Sequence, residues 1–62
     1  MSNNDIYELI CEVAASLGKK RQDIANWTFS GFVPKKHRFD IYLLAKIKGV
    51  ELTQKEFENF KK

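Results

Sequence analysis

The sequence predicts an all-α fold, a small bundle of four to five short helices forming a single domain over residues 1–62. Three observations predict it. Apolar residues recur at three- and four-residue spacing, glycines stand where those stripes stop, and no period-two run is long enough for a strand. A chain of 62 residues is near the lower limit for independent folding, and a lone core of that size supplies only about 3–5 kcal/mol. Cys11 is the sole cysteine and His37 the sole histidine. Neither an intrachain disulfide nor a four-thiolate zinc site can therefore staple the fold, and no metal or other cofactor is expected. Self-association is the staple that remains.

The first helix is predicted over Asp5 to Leu17, because Ile6, Leu9, Ile10, Val13, Ala14 and Leu17 form one helical stripe. Asn3 or Asn4 is placed to cap it, Asp5 and Glu8 suit its positive end, and Gly18 can stop it. The second helix is predicted over Arg21 to Phe29, with Ile24 and Trp27 inward and Gly31 just past its end. Pro34 suits the first position of a third helix, where its missing N–H is not needed, and Gly49 closes that helix. Its apolar residues exceed one stripe. Ile41, Leu44 and Ala45 share one face, while Phe39, Leu43 and Ile47 lie roughly opposite and need the C-terminal segment or another subunit to cover them. Last, Thr53 and Glu56 form a T-x-x-E capping box with Leu52 and Phe57 at the staple positions, and Phe60 extends that apolar side. Residues 1–4 and 61–62 are expected to fray.

Charge is unevenly spread. Residues 1–18 carry Asp5, Glu8 and Glu12 for a sum of −3; residues 19–38 sum to +5; the remainder sums to +1. The cations Lys19, Lys20 and Arg21 crowd the start of the second helix, where a helix dipole disfavours positive charge. A concentration of that kind is the footprint of a surface that meets a polyanion. The start "MSNNDIYELI" has neither a basic leader nor a long apolar core, and no apolar run nears the ~20 residues of a membrane span. With a lone thiol, these features lead us to expect a reduced, cytoplasmic setting.

Two helices joined by a tight glycine turn make the DNA-binding helix-turn-helix unit. It needs a small residue on the first helix, a glycine four residues later, and apolar anchors six and nine residues beyond that glycine. Ala14, Gly18, Ile24 and Trp27 meet these requirements in register. The stretch "AASLGKKRQDIANW" resembles the helix-turn-helix of the phage Cro and repressor families. The wider run through Phe57 resembles small YdaS-like, Cro-type regulators, on the strength of Trp27, Gly31, Val33-Pro34 and Thr53 to Phe57. The resemblance spans roughly residues 11–58. It implies a sequence-specific, dimeric, double-stranded-DNA-binding transcriptional regulator, often a phage or prophage repressor, and hence a place at the bacterial nucleoid. The chain departs from the pattern twice. Lys19 and Lys20 stand where an apolar residue and a hydroxyl cap are usual, and the unbroken stripe from Ile6 to Leu17 leaves no spacer between a first and second short helix. Either those two helices are fused or the register slips near Cys11; fusion would remove one wall of the monomer core, which adds to the expectation of a homodimer.

With Ile24 and Trp27 inward, Gln22, Asn26 and Phe29 point out, with Ala25 at the margin and Arg21 at the helix start. Gln22 and Asn26 have the amide geometry to bind adenine bidentately, Ala25 or Phe29 can meet a thymine methyl, and Arg21 can read guanine or hold a phosphate. Lys19, Lys20, Lys35, Lys36 and Arg38 are cast as phosphate contacts, which orient a protein on DNA without reading sequence. His37 shares the turn that brings Lys35 and Lys36 to the backbone. Phe29 could equally pack against Phe32 or serve a dimer, and Cys11 and Trp27 read as core. No nucleophile–base set, carboxylate pair or phosphate-cradling glycine loop can be assembled, so an enzyme is not expected. The rival expectation is a protein-interaction module, an adapter or antitoxin-like partner, that uses Phe29, Phe32, Phe39 and the outer face of the third helix.

Overall fold

The structure, a computed structural model, describes residues 3–61, without the side chains of Asn3 and Asn4. Among the described residues there are four helices and no strand: α1 (Asn3–Ser16), α2 (Arg21–Ser30), α3 (Lys35–Ile47) and α4 (Gln54–Glu58). The fold is therefore the expected all-α bundle. α1 begins at Asn3, two residues earlier than expected, so Asn3 and Asn4 are helical rather than capping or frayed, while fraying at residues 1, 2 and 62 lies outside the described residues. No helix among them is long and apolar enough to cross a membrane.

α1 is one unbroken helix, with no spacer or break near Cys11. It stops before Leu17, one residue earlier than expected. The Lys19 N–H donates to the Ala14 carbonyl at 3.0 Å and the Gly18 N–H to that of Ala15 at 3.0 Å. This pair of bonds satisfies carbonyls the helix leaves open and requires a left-handed residue, which Gly18 supplies at φ 82°. Leu17 is thereby carried off the stripe and left 38% exposed. α2 runs one residue further than expected and ends when the N–H of Gly31, at φ 88°, meets the Trp27 carbonyl at 2.8 Å. Pro34 sits one position earlier than predicted, at the cap of α3, because its ψ of 144° is extended rather than helical.

The core is apolar throughout. Ile10, Val13 and Ala14 from α1, Trp27 from α2, Val33 from the connector, and Ile41 and Ala45 from α3 meet Leu52, Phe57 and Phe60. α1 packs mainly on α3 and also touches α2. The C-terminal segment then closes the assembly. Phe60 stacks on Tyr7 with ring centroids 4.7 Å apart and meets the edge of Trp27 at 6.4 Å. The Val33 N–H donates to the Phe57 carbonyl at 2.8 Å, and the Phe60 N–H to that of Gly31 at 2.9 Å. α4 begins as predicted. The Thr53 N–H donates to Glu56 Oε1 at 3.1 Å, its hydroxyl donates to Glu56 Oε2 at 2.6 Å, and Leu52 and Phe57 are buried beside them. The Thr53 hydroxyl and backbone bonds outweigh burial and hold the Glu56 carboxyl below the ordinary carboxylate range.

Candidate nucleic-acid interface

α2 is held by its inner face and free along its outer one. Ile24 and Trp27 pack on the core, and Thr28 faces α1. The Thr28 hydroxyl donates to the Ile24 carbonyl at 3.1 Å, which leaves its oxygen to accept from the Tyr7 hydroxyl at 2.9 Å. That bond fixes the rotation of α2 against α1 and so decides which residues look outward. Arg21, Gln22, Ala25, Asn26 and Phe29 are all exposed, and Phe29 is 95% exposed. The Phe29–Phe32 corner does not close, since Phe32 is itself 45% exposed. A helix of ten residues is about 15 Å long and about 10–12 Å wide with side chains, dimensions that suit a groove ≈ 12 Å wide.

The start of α2 carries no side-chain cap, and Lys20 occupies the cap position with an extended backbone. Asp23 is the one acid in the first turn. Lys20, Lys35 and Lys36 are exposed. Lys19 and Arg38, also expected at phosphate, each gain an internal partner. Lys19 Nζ lies 3.6 Å from Asp40 Oδ2 with its side chain only 18% exposed. Arg38 Nε donates to the Val33 carbonyl at 2.7 Å, and its guanidinium rests 5.9 Å from the Phe57 ring centre. Both tie α3 to its neighbours.

Between the outer side of α2 and the first turn of α3 lies a concavity of about 240 Å³, whose lining includes Asp23, Asn26, Trp27, Ser30, Lys36 and His37. It joins a base-contact candidate to a phosphate-contact candidate on one surface. His37 packs on Trp27 with ring centroids 5.0 Å apart. Burial, then the nearby Lys19 and Lys36, hold its imidazole pKa below the ordinary histidine value. Sequence reasoning placed His37 on the turn that brings Lys35 and Lys36 to the backbone but missed its contact with Trp27, which joins residues ten apart on different helices and leaves no periodic signal. Cys11 is half-buried rather than enclosed, and that burial raises its thiol pKa.

A second surface lies on α3. Phe39, Leu43 and Ile47 are 68%, 43% and 81% exposed. The C-terminal segment, one of the two expected coverings, leaves them open to solvent. No family model matches the chain, and no curated protein or solved structure matches it.

Proposed function

We propose that the protein is a sequence-specific double-stranded-DNA-binding regulator of transcription, a Cro-like repressor of phage or prophage type acting in the bacterial cytoplasm on nucleoid DNA. The observation that carries this reading is the outer face of α2. It presents Arg21, Gln22, Ala25, Asn26 and Phe29 together to solvent on a helix whose rotation is fixed by buried contacts. In the reading, α2 enters the major groove. Gln22 and Asn26 bind base edges, Ala25 and Phe29 meet thymine methyls, and Arg21 reads a guanine or holds a phosphate. Lys20, Lys35 and Lys36 contact the flanking phosphates, joined by whatever reach Lys19 and Arg38 retain from their internal bonds.

Size supports a second copy. The described residues span 26 × 24 × 17 Å, whereas successive major grooves on one face of a duplex are about 34–36 Å apart. One chain therefore reads one half-site, and a homodimer reads a near-palindrome. The exposed Phe39–Leu43–Ile47 stripe favours self-association and equally favours the second reading, a protein-interaction module that keeps the motif as scaffold. Selection of bound duplexes from a random pool separates the two. Enrichment of a near-palindrome with half-sites one helical turn apart is the expected result; a pool that remains random after repeated rounds overturns the reading.

A further inference from the structure

We propose that His37 is a proton-dependent phosphate contact: when protonated it holds a backbone phosphodiester seated in the concavity between α2 and α3, so that DNA binding takes up a proton. The inference rests on the DNA-binding reading and adds to it a residue and a form of regulation. Four of the side chains that line the concavity are His37, Lys36, Asn26 and Ser30, and the Asp23 carboxylate lines it with them and opposes an anion there. Those four side chains offer the donors that a phosphodiester oxygen accepts, and two are cationic once the imidazole is protonated. The Trp27 ring beneath fixes the imidazole plane.

The charges that face His37 come from every element around it. Lys19 from the α1–α2 turn and Lys36 from α3 disfavour its protonation, while Asp23 from α2 and Asp40 from α3 favour it. Burial comes first among the causes, and the net direction is down. The free protein therefore carries a neutral imidazole near neutral pH. A phosphate brought into the concavity adds a negative charge and reverses the balance, so the group has a higher pKa in the complex than in the free protein. Affinity then rises as pH falls through that interval and levels off below the free value. Folding moves the other way. A histidine whose pKa is lowered by folding opposes the folded state once it is protonated, so the free protein loses a little stability as pH falls. Tighter binding at lower pH thus cannot be a by-product of a firmer fold.

Because His37 is the only histidine in the chain, its imidazole proton resonances report its titration without ambiguity. The experiment measures that titration by NMR in the free protein, with inorganic phosphate, and with a 20-base-pair random-sequence duplex. Duplex affinity is measured at constant salt from pH 7.5 to 5.5 for the wild type and for His37→Phe, which keeps a ring on Trp27. A His37→Gln variant repeats the affinity series in case phenylalanine disturbs the fold. We expect the duplex to raise the His37 titration by about one unit, and wild-type affinity to tighten about fivefold more than either variant across the range. If the duplex binds but leaves the titration unmoved, or if wild type and variants share one pH slope, the proton linkage is overturned and the DNA-binding reading stands. A titration raised by inorganic phosphate and not by duplex makes the ligand free phosphate and also overturns it. No duplex binding at any pH removes the reading beneath it.

Discussion

α2 and α3 each bury one face in a common core and leave the other in water, but what they expose differs in kind. α2 shows amide, guanidinium and methyl groups, with Phe29 the one large apolar exception. α3 shows Phe39, Leu43 and Ile47 at four-residue intervals. Polar groups in water lose little by waiting for a ligand, whereas exposed hydrocarbon costs roughly 25 cal/mol per Å². The first face is suited to a wet, charged surface such as a nucleic-acid groove, and the second to a dry contact. In the proposed reading, two helices from one short chain divide recognition from association.

The largest expected effect removes what the two faces share. Phe60→Ala deletes a ring that is 1% exposed and touches both Tyr7 and Trp27. A loss of about 3–5 kcal/mol is expected, which rivals the whole stability of a chain this small. Urea unfolding followed by circular dichroism should show little folded protein; an unchanged midpoint would mean the C-terminal segment is not part of the cooperative core. Next come the substitutions that break only the α2 face. Gln22→Ala and Asn26→Ala should each erase about 1–3 kcal/mol of discrimination between selected and random duplex. Lys36→Ala should weaken both duplexes alike and reduce the salt slope by about one. Equal losses on both duplexes for all three variants would deny α2 its reading role.

On the α3 side, Ile47→Lys places a charge where a partner's apolar surface is expected. The folded monomer should change by less than about 0.5 kcal/mol, since Ile47 is 81% exposed, while dimer formation at micromolar concentration should fail in sedimentation. A dimer that persists would put the association surface elsewhere. The smallest effect concerns α4. Thr53→Ala removes the hydroxyl that lowers the Glu56 carboxyl and should cost about 1 kcal/mol near neutral pH. The bond to ionised Glu56 stabilises the fold above the ordinary carboxylate range and is lost as pH falls through the lowered value. Wild type and variant should therefore draw together in thermal melts as pH falls below the ordinary carboxylate range.

Much of this was legible in the sequence because it is local. The α1 stripe, the glycine stops and the Thr53–Glu56 box each involve residues within five positions, where helical periodicity and hydrogen-bond reach dictate the outcome. The outward set on α2 followed from placing Ile24 and Trp27 inward, since one buried pair fixes the phase of a helix. What escaped is long-range. Phe60 on Tyr7, Lys19 on Asp40 and His37 on Trp27 each join separate elements, and no spacing rule announces such contacts. Lys19, with Asp40, and Arg38, with the Val33 carbonyl, thus have internal partners beside the phosphate contacts expected of them. The end of α1 shows the same limit at small scale: periodicity included Leu17, but the carbonyl-satisfying turn at Gly18 claimed it.

The most direct test of the account follows the backbone amide resonances of labelled protein as a selected duplex is added. The account predicts that the largest shifts fall on Lys20 to Ser30 and on Lys35 to His37, with the Phe39–Leu43–Ile47 face little changed once the dimer has formed. Shifts concentrated on that α3 face, with α2 unperturbed at saturation, would contradict it.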